Sequence, residues 1–435
     1  MKPMFIISCP IDTYSGYGAR SRDLVKALIE LDKYDVKILA QRWGNTPWNY
    51  IKNHPEWKFL LPYILKTNEL PKKPEIWAQV TVPNEFQPVG EFNIGFTAGI
   101  ETTLCHNSWI EGLNRMDLNI VSSQHAKSVF ENTQYEKRHP QTNQSLGILK
   151  LEKPVEILFE GIDLTKFKPL NSQEINVNVI KELNDIPEKF AYLFVGHWMQ
   201  GNVGEDRKNV GLLVKAFLEI FKNASKAPAL ILKTSGAGCS YLDREKLLDK
   251  IYQIKSEVKA KSYPNIYLLH GEFEEVEMNY LYNHPKVKAM VNLTKGEGFG
   301  RPLLEFSLVN KPIITTKWSG HLDFLNSQFT SLIEGDVTPV HDSAVVKDMI
   351  LKEGKWFSPN LGEIGFFLKD MFENYKKYEK GAKLQYHKSK NNFNFDKMVE
   401  LLDKHITQYA PTFPEQVGLK LPNISNLELP QLQKL

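Results

Sequence analysis

Residues 295–325 read KGEGFGRPLLEFSLVNKPIITTKWSGHLDFL, and the fold is decided there. Glu297 and Glu305 stand eight positions apart, with Gly298, Gly300 and Pro302 between them. Upstream, residues 289–293 (AMVNL) form a short apolar run of the kind that makes a strand buried on both faces. Pro302 suits the first turn of a helix, where its missing N–H would have no partner anyway. The unit is strand, glycine loop, helix, followed by a further strand at 312–315 (PIIT).

Chemistry follows from that geometry. A helix N-terminus presents unpaired N–H groups and a partial positive charge, which suit a phosphate. Gly298 and Gly300 let the backbone approach a ligand closely. Glu297 sits on the loop, free to accept hydrogen bonds from hydroxyls. Glu305, about one turn beyond Pro302, points back along the same face. Two carboxylates flanking a ring of amide donors suit a polyhydroxylated, phosphorylated ligand, and a nucleotide sugar fits that description.

The stretch EGFGRPLLE resembles the glutamate-x7-glutamate signature of retaining glycosyltransferases with the GT-B architecture, the family-4 group in particular. The resemblance runs over most of residues 4–410, tightly at 192–325 and loosely before about 90. It implies an α/β fold: two Rossmann-like, doubly wound parallel-sheet domains facing a central cleft. By position, Glu297 corresponds to the glutamate that contacts the donor sugar and Glu305 to the one that binds the ribose hydroxyls. Phe299, Arg301, Pro302 and Leu303 share the donor-binding segment.

Composition agrees with a two-domain reading. The chain has 435 residues, 42% of them hydrophobic and 24% charged, as in globular proteins. A net charge of +3 permits an anionic acceptor without requiring nucleic acid. Three scattered cysteines, Cys9, Cys105 and Cys239, argue against a disulfide framework and for a reducing compartment. No apolar run reaches membrane-spanning length. The expected location is cytoplasmic, with contact to a membrane surface left open.

Alternating strand and helix patterns divide the chain into an acceptor-binding domain (1–170), a polar linker (171–189) and a donor-binding domain (190–390). An amphipathic helix at 391–410 is expected to cross back to the first domain, leaving a proline-containing tail at 411–435. Residues 43–65 (including WGNTPWNYIKNHPEW) read as an irregular insertion near the acceptor side.

In the first domain, residues 12–22 (DTYSGYGARSR) join a strand to a helix. Gly16 and Gly18 resemble the family's glycine loop that faces the donor phosphates. Glu101, Thr102 and His106 fall at the carboxyl edge of the same sheet, on the acceptor side. His106 is a candidate base, since its ordinary pKa suits proton exchange near neutrality. His125 is expected to cap or pack its own helix.

In the second domain Arg207 and Lys208 precede a helix. A planar guanidinium and a compact ammonium can together neutralise a diphosphate. Family members often carry an arginine directly after the strand glycine, where this chain has His197. The diphosphate-binding role is therefore carried over to Arg207 and Lys208. Ser235 in TSGAG and Gly271 in HG lie on further ligand-side loops.

The implied reaction moves a sugar from a nucleotide-diphosphate donor, with a UDP-sugar as the first expectation, to an acceptor hydroxyl with retention of configuration. Arg207, Lys208 and the loop amides would stabilise charge on the leaving diphosphate. No D-x-D pair occurs, so neither metal nor other cofactor is expected. The acceptor stays open among a glycan, a lipid-linked sugar, a small molecule and a modified DNA base. A catalytically silent nucleotide-sugar-binding protein is the alternative from outside the enzymes.

Overall fold

A computed structural model describes residues 2–413, apart from 68, 71, 172, 177–180 and 237. The tail read from 411 onward therefore lies almost wholly outside the described residues, as does part of the linker. Two six-stranded sheets, parallel throughout, organise the chain, each flanked by helices. That is the α/β arrangement expected from the sequence.

The first sheet runs Asp35–Ala40, Met4–Cys9, Ile76–Val80, Phe92–Thr97, Leu118–Val121, Val155–Ile157. Its central strands are continuous apolar runs because helices cover both faces; Phe5, Ile7, Ile94 and Ile120 are buried. The second sheet runs Ile266–Leu269, Ala229–Lys233, Ala191–Val195, Val287–Asn292, Ile313–Thr316, Ser331–Ile333. Its order reverses between Ala191–Val195 and Val287–Asn292. The crevice beyond the carboxyl ends of those two strands is where open α/β sheets bind ligands.

Between the first domain's second and third strands the chain is more regular than its sequence suggests. Residues Tyr50–Asn53 form a helical turn and Pro55–Tyr63 a 3₁₀ segment. Trp57 and Leu60 are buried in the domain core, and a single parallel bridge joins Ile38 to Ile64. Aromatic anchoring, rather than hydrophobic periodicity, orders this insertion.

The last described helix, Phe395–Tyr409, packs on the first sheet, where Phe395, Met398, Leu402 and Ile406 join the core with Phe5 and Ile7. Reciprocal backbone bonds of 3.0 and 3.1 Å tie Phe395 and Phe393 to Ile162. An antiparallel hairpin (Gly335–Pro339 with Lys355–Pro359), not foreseen from the sequence, reaches the first domain. There the Thr103 N–H donates to the Lys355 carbonyl at 2.9 Å. The Gln124 N–H likewise donates to Asp323 at 2.8 Å. The domains thus touch at both contacts.

Candidate active site

The glycine loop leaves the Val287–Asn292 strand at the crevice, and Gly300 has φ +94°, a conformation that favours glycine. Gly298 answers a different need. A Cβ there would lie 2.6 Å from the Ala98 carbonyl oxygen, and one on Gly296 would lie 2.0 Å from that of Glu101. Both contacts cross from the second domain to the first. The Ser122 hydroxyl adds a 3.2 Å bond to the Gly298 carbonyl. The side-chain-free backbone admits the partner domain as well as any ligand.

Between the domains lies a cleft of about 440 Å³. Gly16 and Glu101 line it from the first domain. Arg207, Lys208, Ser235 and Gly271 line it from the second, as do Glu297, Gly298, Phe299, Gly300, Arg301, Pro302 and Glu305. Lys208 Nζ lies 2.5 and 2.6 Å from the two Glu297 oxygens. Arg207 Nη1 reaches Glu101 Oε1 at 3.2 Å, the Gly296 carbonyl at 3.1 Å and Glu297 Oε2 at 3.8 Å. Burial pushes the Glu297 carboxyl up, but Lys208 and Arg207 together pull it below its ordinary value. Burial lowers the Lys208 ammonium, and Glu297 offsets only part of that. Glu297 is therefore a carboxylate held against two cations.

Glu305 belongs to a second cluster. Arg301 Nε donates to Glu305 Oε1 at 3.0 Å, and its Nη1 donates to Asp23 Oδ2 at 2.5 Å across the cleft. Glu160 and Glu275 each stand 3.9 Å from the same guanidinium. The Tyr282 hydroxyl donates to Glu305 Oε2 at 3.0 Å. Burial nevertheless pushes the Glu305 carboxyl up to about 7, against the pull of Arg301 and Tyr282. Burial raises Glu160 as well, opposed by Arg20 and Arg301.

Four of the sequence-predicted site residues lie elsewhere. His106 caps the Asn107–Asn114 helix, its Nδ1 2.7 Å from the Ser108 hydroxyl and its Nε2 3.5 Å from Asp348. It does not line the cleft. Thr102 is buried, with its hydroxyl bonded to the Leu104 carbonyl at 2.9 Å. Gly18 is a tight-packing glycine whose Cβ would fall 2.4 Å from the Thr13 carbonyl oxygen. Leu303 is packed in the second domain's core. For His106 and Thr102 the sequence located the right sheet edge, but the loop directs both side chains into capping and packing.

Other cleft residues were missed. Tyr17, Arg20, Glu160, Lys233 and Glu272 line it, and so does His197. His197 Nδ1 lies 3.1 Å from the Ser235 hydroxyl, and burial and Lys208 lower its pKa. Arg20 could have been found from its one-turn spacing after Gly16. Glu160 had no local signal. His125 packs edge-on against Trp318 of the second domain rather than only against its own helix.

No known family profile and no curated protein sequence matches the chain. Solved structures do. A glycosyltransferase from Rickettsia africae aligns at a TM-score of 0.62 and 13% identity, covering 94% of this chain and 98% of its own. Sucrose-phosphate synthase from Thermosynechococcus elongatus aligns at 0.58 and 11% identity, over 94% and 99%. Anabaena HepE, solved with UDP and glucose, aligns at 0.55 and 12% identity, over 93% and 100%. At these identities the likeness is one of fold: the chain has the two-Rossmann-domain GT-B architecture, along nearly its whole described length.

Proposed function

We propose that this chain is a retaining glycosyltransferase that moves a sugar from a nucleotide-diphosphate sugar, with UDP-sugars as the first candidates, to an acceptor hydroxyl. The observation that carries the proposal is the convergence of Arg207, Lys208 and Glu297 on a glycine loop inside the interdomain cleft. That HepE was solved with UDP and glucose on the same fold supports the choice of donor.

In the proposed reaction the bond from the anomeric carbon to the diphosphate oxygen breaks while the acceptor oxygen bonds to that carbon. The acceptor proton leaves with the departing diphosphate. Lys208 would exchange part of its contact with Glu297 for a phosphate oxygen, and Arg207 would do the same with Glu101. Fixed cations in a water-poor cleft stabilise the growing negative charge without reorganising. Because these groups meet that charge, no metal ion or other cofactor is assigned to the step. Glu297 would hold donor-sugar hydroxyls, and Glu305 those of the ribose. His106 is not assigned the base, and Glu101 is the acceptor-side residue that the cleft retains. No described helix is long and apolar enough to cross a membrane; a cytoplasmic location belongs to the proposal, from the cysteine usage.

The test is calorimetry with a panel of nucleotide sugars and with release of the nucleoside diphosphate as the activity readout. The expected result is one donor bound in the micromolar range and turned over by wild type, with turnover lost in Lys208→Ala. A chain that binds none of the panel is not a transferase of this kind.

A further inference from the structure

Residues 50–66 read YIKNHPEWKFLLPYILK, and the reaction above leaves them without a role. Pro55–Tyr63 is a 3₁₀ helix, in which positions three apart share a face. Trp57 and Leu60 take the inner face and are buried, with Tyr63 packed against the same core. Two outer rows remain: Pro55, Lys58 and Leu61 in one, Glu56, Phe59 and Pro62 in the other. Phe59 is 43% exposed and Leu61 52%, and both prolines are exposed as well.

Cations frame this apolar ridge. Lys52, Lys58 and Lys66 are exposed, and Glu56 is the single acid of the segment. Lys72 and Lys166 hold Glu75 and Glu275, whereas none of these three lysines forms an ion pair among the described residues. The exposed aliphatic pair Leu146 and Ile148 differs in this respect. There Glu136 stands opposite Ile148 and is neutralised by Arg138.

We infer that the outer face of residues 50–66 docks on an anionic lipid surface. The inference stands apart from the transferase reading. Phenylalanine and leucine side chains enter the boundary between headgroups and acyl chains, while lysines beside them meet the lipid phosphates. Unpaired cations around exposed apolar groups complement that surface on both counts. A second copy of the chain is a poorer fit, because a two-fold contact through this face sets lysines against lysines.

The ridge is held firmly from behind. The Ile51 N–H donates to Asp12 at 2.6 Å, and the Leu65 N–H donates to the Ile38 carbonyl at 2.9 Å. With Trp57 and Leu60 anchored in the core, Phe59 and Leu61 can enter lipid without drawing on the fold. Position adds a consequence for the site. Tyr50, Asn53 and His54, on the other side of the same segment, face the second domain across the cleft. A docked chain therefore holds its cleft one element's width from the lipid.

The experiment is co-sedimentation of the full chain with vesicles of phosphatidylcholine, alone or mixed with phosphatidylglycerol. Wild type should sediment with the mixed vesicles, stay in solution with phosphatidylcholine alone, and bind less as salt screens the lysines. Phe59→Ser with Leu61→Ser should lower the partition at least about tenfold, and Lys58→Glu with Lys66→Glu likewise. All four positions are exposed, so both variants should melt with wild type, and the loss then reports docking rather than folding. Wild type that ignores the mixed vesicles overturns the inference. So does a partition within about twofold of wild type in either variant, since another surface then makes the contact. A wild-type dimer in solution that Phe59→Ser with Leu61→Ser abolishes would assign the ridge to a second copy instead.

Discussion

The ammonium of Lys208 is chelated by both carboxylate oxygens of Glu297, at 2.5 and 2.6 Å, with both side chains buried. Each charge is the other's main compensation. Removing Lys208 alone strands a buried carboxylate, which ordinarily costs about 3–5 kcal/mol. Arg207, at 3.8 Å, moderates that loss. Lys208→Ala should lower the unfolding free energy measured in urea by about 3 kcal/mol, and Lys208→Ala with Glu297→Ala should recover part of it. A double variant no more stable than the single one would show that the pair is not coupled.

Arg301 serves Glu305 through Nε and Asp23 through Nη1 at the same time. Lysine keeps the charge but has one point of attachment. Arg301→Lys is therefore expected to weaken donor binding by roughly tenfold, because Glu305 loses its fixed orientation. Calorimetry with the donor found for wild type provides the measurement, and an unchanged dissociation constant would mean that charge alone suffices.

Gly298 meets the first domain at the Ala98 carbonyl. In Gly298→Ala the new methyl group must push the domains apart, while each domain's own core is untouched. Turnover should fall at least about tenfold, with little change in the melting temperature. A variant with wild-type turnover contradicts the idea that this contact sets the working geometry.

Burial pushes the Glu305 carboxyl up to about 7 in the folded protein, from an ordinary value of 4.5. Between these values the folded state holds a proton that the unfolded chain has released, so stability falls as pH rises through that window. Above about pH 8 and below about pH 4 the dependence on this group vanishes. Glu305→Gln should remove this component, by an amount on the order of 3 kcal/mol across the full window. Urea unfolding at pH 5, 6, 7 and 8 in both proteins tests it. Parallel wild-type and variant curves would assign the titration to another group, Glu160 first.

His106 is occupied by Ser108 and Asp348 and lies off the cleft. His106→Ala should leave turnover within about twofold of wild type, whereas Glu101→Ala, which frees Arg207 from its partner across the cleft, should not. A large loss of kcat in His106→Ala would return the histidine to the acceptor side.

Much of the site was readable because its signals are local. Glu297, Gly300, Pro302 and Glu305 lie within one strand–loop–helix unit, where glycine and proline preferences act between neighbours in sequence. Arg207 and Lys208 were legible as two cations just ahead of a helix. The role of Gly298 was read only in part, since its closest neighbour belongs to the other domain. Asp23, Glu160 and Glu275 gave no sequence signal, being ordinary acids on ordinary surfaces of their own elements.

By itself the sequence determined two parallel α/β domains and the position of the loops at the carboxyl ends of their strands. These follow from apolar periodicity and from short-range backbone preferences, which residues a few positions apart settle. Only the tertiary structure decided which charges meet. Asp23 and Arg301 are 278 positions apart, yet lie in contact across the cleft, and the 43–65 insertion comes to face Glu272 and Glu275. Such pairings depend on how two folded domains dock, and a charge carries no record in sequence of the distant partner it will find.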